Sequence, residues 1–253
     1  MPDKRKHRGP NPRDSKLFAD ATLPDLRTAV QHFSMLLSLG YAFDSSLKLV
    51  GDHFSLTKRQ RLAVRRASCS DEQLQRRRRT EMALQELTGR ELVIDGYNVL
   101  IGIEAALSGG PIFIGRDSCY RDIASVHGSY RRVEETVHAL HIIADAVQGL
   151  RVAGCRILLD SPVSNSGKLK TMMRELAEQN GWRWEIELLY NPDNEMIESD
   201  VPVATSDSDV LDRCSKWINL ARYIIDRLAA ESERVWLVDL SGDGGGVGGD
   251  GIE

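Results

Sequence analysis

Three short apolar runs in this chain end on carboxylates. Asp95 closes Leu92-Val93-Ile94, Asp160 closes Arg156-Ile157-Leu158-Leu159, and Asp207 with Asp209 follows Val201 to Ala204. Each run reads as a buried β-strand, and helical patterns separate them. That alternation implies a mostly parallel sheet covered on both faces. In such a sheet the strand C-termini share one edge, and ligands bind where the strand order reverses. Carboxylates distant in sequence would meet there. They repel one another, so the cluster requires a cation or raised pKa values. Hard oxygen ligands select Mg2+ or Mn2+. A single Asp at a strand end is ordinarily a helix cap or a turn residue. Three of them at three strand ends favour a shared metal site formed by Asp95, Asp160 and Asp207.

The residues around these acids carry a more specific pattern. Ile94-Asp95-Gly96-Tyr97-Asn98-Val99 resembles the opening motif of the PIN-like and NYN nucleases, and Ala204-Thr205-Ser206-Asp207-Ser208-Asp209 resembles their late strand-end acidic motif. The resemblance spans residues 91–240, and the whole chain resembles a prokaryotic family that joins a small N-terminal helical domain to a PIN-like one. It implies Mg2+- or Mn2+-dependent hydrolysis of RNA phosphodiesters. Asp95, Asp207, Asp160 and Asp209 would be metal-binding or catalytic, and Asn98 would brace the first loop or touch substrate. It also implies another acid after the first strand, where the chain offers Asp117, Asp122, Glu134 and Glu135. Asp122, ahead of the long helix, is favoured, because Glu134 also reads as a solvated first-turn acid. A metal held there would polarise a phosphoryl oxygen and lower the pKa of an attacking water.

The elements that must position these groups fall into four parts: a disordered basic tail over 1–15, a basic helical domain over 16–90, the PIN-like domain over 91–240 and a flexible Gly-rich tail over 241–253. In the helical part, Thr22 before Pro24 opens a helix running to Gly40. Thr57 with Gln60, and Ser70 with Gln73, form capping boxes, the second opening a helix that runs to Gly89. About four helices result, with too few apolar residues for a large independent core. Beyond Glu91 the expected order is a strand, a Gly-rich loop through Gly115, a long helix around Val133 to Val147, the strand at 156–159, a helix over 168–180, strands at 184–189 and 201–204, a helix over 210–230, and a fifth strand at 235–238. The fold class is therefore α/β: a mostly parallel five-stranded PIN-like sandwich with a small N-terminal all-helical domain.

The net charge of −4 conceals a split. Residues 1–90 hold 18 Lys/Arg against 10 Asp/Glu, and residues 91–253 hold 15 against 27. One reading is two solvated surfaces of opposite sign that dock on each other. The other is a basic nucleic-acid grip beside an acidic metal site. Arg76, Arg77, Arg65 and Arg66 are the candidate phosphate contacts of that grip. Lys168 joins them, because its loop follows Asp160 at the same sheet edge. The stretch Ser164 to Lys168 is not a nucleotide-binding phosphate loop, since the first Gly is missing and Leu169 stands where Ser or Thr should hold Mg2+. His138 and His141 read as helix-surface histidines, and Tyr97 as either a base-stacking or a packed ring. Asp207-Ser208-Asp209 is also compatible with topoisomerase-primase chemistry, but those domains carry Glu where Asp95 stands.

The expected function is a metal-dependent nuclease acting on RNA, with DNA as the second candidate substrate. The alternative is a catalytically silent nucleic-acid-binding protein on the same fold. Four widely spaced cysteines make neither a zinc pattern nor a disulfide framework, and no apolar run could span a membrane. Cytoplasmic residence with reduced thiols is expected, and homo-oligomerisation is left open.

Overall fold

The computed structural model describes residues 6–124 and 130–242. The first five residues of the expected basic tail, and the Gly-rich tail from 243, lie outside the described residues.

The N-terminal half is helical: α1 (Asp14–Leu17), α2 (Leu23–Ser38), α3 (Phe43–His53), α4 (Lys58–Ala67) and α5 (Asp71–Thr80). Both capping boxes form. The Thr57 and Ser70 side chains accept from the backbone N–H of Gln60 and Gln73, and each Gln returns the bond. Gly40 stands just past α2 in the left-handed region (φ +80°). Two expectations fail. Residues 6–14 are tied down: Arg8 pairs with the fully buried Glu104, the Lys6 carbonyl accepts from Glu134 N–H (3.0 Å), and buried Asp14 takes Arg59 (2.7 Å). Composition suggested disorder because these partners lie far away in sequence. And α5 stops at Thr80, well short of Gly89, because the chain leaves the helix to pair with Trp217, whose carbonyl accepts from Met82 N–H at 2.8 Å.

The C-terminal half is α/β. β1 (Glu91–Asp95) runs directly into α6 (Gly96–Leu107), followed by β2 (Pro111–Ile114) and β3 (Tyr120–Asp122). Then come α7 (Thr136–Gly149), β4 (Gly154–Asp160), α8 (Ser166–Asn180), β5 (Trp184–Leu189), α9 (Pro192–Ile197), β6 (Val203–Ala204), α10 (Ser208–Arg213), β7 (Trp217–Ile218), α11 (Leu220–Glu231) and β8 (Trp236–Asp239). The main sheet has five parallel strands in the order β5-β4-β1-β6-β7. A second sheet, β3-β2-β8, pairs β2 antiparallel to β3 and parallel to β8.

The expected fifth strand at 235–238 therefore belongs to the second sheet. The true fifth strand interrupts what reads as one helix over 210–230. Trp217 is fully buried there, its indole N–H donating to the Arg77 carbonyl (2.9 Å). The expected Gly-rich loop after Asp95 is largely α6. Tyr97, Val99, Ile101 and Ile103 are modest helix formers, and a helix buried on every face shows no amphipathic period.

The main core lies between the parallel sheet and helices α6, α7, α8 and α11. The helical half has no core of its own. Phe18, Leu26, Phe33 and Val64 pack in one cluster with Phe113, Ile123, Val238 and Leu240 of the second sheet. Phe18 meets Phe113 edge to face at 4.8 Å. All four cysteines are buried and unpaired. Among the described residues, no helix is long and apolar enough to cross a membrane.

Gly96 joins β1 to α6 where only a glycine fits. A Cβ would lie 2.8 Å from the Leu158 carbonyl oxygen and 2.6 Å from the Leu159 side chain. Gly96→Ala should cost about 1–3 kcal/mol through forced separation of α6 from β4. A urea midpoint equal to that of the parent would refute this reading of the close approach.

Candidate active site

β1 lies between β4 and β6, so Asp95 sits where the strand order reverses, at the C-terminal edge of the sheet. Its carboxylate is 5% exposed. Oδ2 accepts from the Thr205 hydroxyl (2.8 Å) and the Asn98 amide (2.6 Å), and Oδ1 accepts from Asn98 N–H (3.2 Å), which caps α6. Burial pushes the Asp95 carboxyl up to about 7 against these bonds, and the charge of Asp207 adds to the rise. Asp207 caps α10, with Oδ1 accepting from the backbone N–H groups of Asp209 (2.9 Å) and Val210 (3.3 Å). The ordinary reading of a strand-end Asp as a cap thus holds for both residues, and both still look onto one edge.

Asp160 closes β4 half-buried. Burial raises its carboxyl, and Asp207 raises it further. Asp193, on the first turn of α9 after β5, is raised by burial and then by Asp207, Asp160 and Asp209. Sequence reasoning missed it. The signal was present: Asn191-Pro192-Asp193 follows a strand just as the other acids do. The four acids that sequence offered between the first two strands are engaged elsewhere. Asp117 is buried between two guanidiniums. Asp122, on β3, accepts from Ala124 N–H (2.6 Å) and lines a separate pocket with Arg8 and Arg59. Glu135 is bonded to His7 (2.6 Å), and Glu134 lies 3.8 Å from the same ring.

A cavity of about 500 Å3 opens between this edge and the helical half. Asn98, Ser206, Asp207, Ser208 and Asp209 form one wall, and Arg65 and Arg66 of α4 stand on the other. Arg77 and Arg121 also line it, but both are committed. Arg77 binds Asp117 (2.5 Å) and Asp212 (2.7 Å) and donates to the Ser208 carbonyl (3.3 Å). Arg121 binds Asp117 (2.7 Å) and donates to the Ser206 carbonyl (2.7 Å). Two buried cations therefore grip the backbone on either side of Asp207. Arg77 is not a free phosphate ligand, as sequence had suggested. Neither is Arg76, whose guanidinium donates to the Arg213 carbonyl (3.1 Å). Lys168 is exposed on the first turn of α8, beyond Asp160 and outside the cavity lining. Asp209 is paired with Arg213 on its own helix. Tyr97 is a packed ring against Tyr130 (5.5 Å), so it is not a free stacking surface.

The donor chemistry at the edge fits a hard divalent cation: oxygen ligands only, with Asp160 and Asp193 raised by burial and then by the charge of Asp207, a repulsion that a dication would relieve. Among the described residues, no group of three or more His, Cys, Asp or Glu side chains is already arranged to hold a metal ion. Asp95 instead spends its oxygens on Thr205 and Asn98.

Residues 84–223 match the family described as "Domain of unknown function (DUF5616)", and residues 25–80 match "Protein of unknown function (DUF434)". The chain is 32% identical over 208 residues to "Uncharacterized protein MJ0935" of Methanocaldococcus jannaschii, covering 82% of this chain and 97% of that relative. No solved structure matches it.

Asp117 makes the clearest stability prediction. Burial would raise its carboxyl, but Arg121 and Arg77 more than offset that and hold it well below the usual range. Its contribution is complete above the ordinary carboxylate value of about 3.9 and is lost as pH falls below it. Asp117→Asn should cost about 3–5 kcal/mol at neutral pH by stranding buried Arg121 and leaving Arg77 with Asp212 alone. Chemical denaturation of both proteins at pH 7 and pH 3.5 checks it, and the gap should narrow at the lower pH. An unchanged gap would mean that the lattice does not depend on the Asp117 charge.

Proposed function

We propose that this chain, which belongs to the family described as "Domain of unknown function (DUF5616)", is a divalent-metal-dependent nuclease of PIN-like architecture acting on RNA, with DNA as the second candidate. One observation carries the reading. Asp207 and Asp209 of the acidic edge share a single cavity with Arg65 and Arg66 of α4, and Asn98, which orients Asp95, lines it too, so attraction for a phosphate lies beside groups that would bind a metal.

Bound Mg2+ or Mn2+ would supply a polarised phosphoryl oxygen and a water of lowered pKa. Asp95 is the innermost ligand candidate, its carboxylate oriented by Thr205 and Asn98. Asp160, Asp193 and Asp207 offer further oxygens from the same edge. Asn98 both fixes Asp95 and faces the cavity, within reach of substrate. Arg65 and Arg66 would hold the phosphate backbone, as neutralising cations do. Asp209, ion-paired to Arg213, stands at the rim. Arg77, Arg121 and Ser206 keep Asp207 in place without touching substrate.

The reading as a silent nucleic-acid binder has its own observation: Asp95 and Asp207 already serve as caps. Four mutually repelling carboxylates facing a polyanion would, however, weaken a binder that performs no chemistry.

With Mn2+ the parent should cleave RNA, and Asp160→Asn and Asp193→Asn should each lower kcat/KM on the order of 100-fold. Both should also weaken Mn2+ binding in a direct titration. The double substitution Arg65→Ala, Arg66→Ala should instead leave Mn2+ binding intact and reduce the salt slope of RNA binding by about 1.4. A parent that binds RNA tightly yet cleaves neither RNA nor DNA with either metal is the silent binder, and the nuclease reading is then abandoned.

A further inference from the structure

We infer that the helical half supplies a nucleobase-binding platform, built from Phe43 and Arg65, at the mouth of the acidic cavity. The inference rests on the nucleic-acid reading above and names the part of the substrate that the helical half receives: the face of an unpaired base.

Phe43 is the first residue of α3. Its ring is held edge to face on Phe33 (5.1 Å, interplanar angle 75°), which is fully buried, so the ring has a fixed seat. It is nevertheless 39% exposed. The Arg65 guanidinium lies 5.3 Å from the ring centroid, the arrangement of a cation over an aromatic face. An exposed ring and an exposed guanidinium thus stand together on the cavity lining. Two other cations of α4 are consumed by carboxylates, Arg59 by Asp14 and Arg61 by Asp52. Among the described residues, Arg65 and Arg66 form no ion pair.

The rest of the cavity fixes the ligand class. Leu37 and Leu62 continue the apolar wall below Phe43, while Asp207 and Asp209 stand on the other side. One cavity therefore offers an aromatic-apolar wall, free guanidiniums and an acidic edge. A nucleotide unit within a strand matches all three: base face to Phe43 and Arg65, phosphate to the guanidiniums, scissile region toward the acids. Stacking of this kind is tolerant of base identity, because every base has a π-face. A base inside a duplex is stacked on its neighbours and hides that face, so the platform selects unpaired nucleotides.

The test uses the full chain in EDTA, which separates binding from cleavage. The probe is a single-stranded RNA oligonucleotide carrying one 2-aminopurine, read by affinity and by fluorescence quenching. The parent should bind and quench. Phe43→Ala should bind about 10-fold more weakly and lose the quench. Phe43→Leu, which keeps an apolar seat on Phe33, should lose the quench as well, and Phe43→Trp should keep it. A duplex of the same sequence and free adenosine monophosphate should both compete poorly. If the parent binds the strand but Phe43→Ala and Phe43→Leu quench as it does, the platform is wrong while the nucleic-acid reading stands. Equal competition by duplex overturns selection of unpaired bases, and equal competition by the mononucleotide overturns the strand. If the parent binds no oligonucleotide at all, both readings fall together.

Discussion

Everything at the candidate site hangs on a carboxylate that does not belong to it. Asp117 is 6% exposed and lies between two guanidiniums, Arg77 from α5 and Arg121 from β3. Each cation then reaches across to the loop that carries Asp207, through the Ser208 and Ser206 carbonyls. A helix of the N-terminal half, a strand of the second sheet and the acidic loop of the main sheet thus meet at one point. Charge-assisted bonds in a bidentate fork fix direction as well as distance. Burying such a group is favourable only when every partner is present, and removing one strands the others. The lattice therefore adds little net stability but strongly specifies one arrangement, as a site assembled from three separate layers requires.

The same lattice shows what the charge split between the halves does. The docking reading is realised in named ion pairs. Much of the opposite charge serves docking: Arg77 to Asp117 and Asp212, Arg8 to Glu104, and Asp71 to Arg116 all cross between the halves. The shared apolar cluster around Phe18 and Phe113 completes the join, which is why residues 16–90 looked too poor in apolar side chains to stand alone. Arg65 and Arg66 are among the cations that docking leaves over, and these two line the cavity opposite Asp207 and Asp209. The run Arg76 to Arg79, the most conspicuous basic feature of the sequence, contributes its first two members to structure. Counting charges could not separate the docked cations from the free ones, since the partners of the docked ones lie 40 to 135 residues away.

What was legible in the sequence is what depends on local chemistry. Both capping boxes, the Gly40 stop, the strands read at 92–94, 156–159 and 184–189, and the parallel order implied by strand-helix alternation were legible, because a few adjacent residues determine them. The placement of Asp95, Asp160 and Asp207 on one edge followed from that order. The rest was decided by tertiary pairing. β7 exists because Trp217 finds β6 on one side and residues 81–82 on the other, and no window of helical periodicity contains that information. α6 was hidden for the opposite reason: a helix enclosed on all sides loses the polar face by which helices are recognised. Asp193 went unread because the six-residue α9 that Pro192 opens is too short to show a helical period.

The double duty of Asp95 explains how an acidic edge survives without collapsing or repelling itself open. The carboxylate lies at the positive end of α6, and the N-terminus of the 15-residue α8 follows Asp160 at the same edge. Helix N-termini stabilise negative charge within their first turn. Thr205 and Asn98 add donors on the remaining oxygen of Asp95. These neutral donors hold the carboxylate in place but do not cancel its charge. Burial and Asp207 still push Asp95 up to about 7, so a large part of the electrostatic cost stays uncompensated. A structural cap needs no such tension, because Ser or Asn at the same position would cap α6 without it. An Asp there, with Asp160 and Asp193 each also raised by burial and by the charge of Asp207, leaves an edge whose uncompensated negative charge a cation would relieve. On the opposite wall, Arg121 of the lattice around Asp117 also donates to the Arg66 carbonyl (3.1 Å), which ties the end of α4 to the same point.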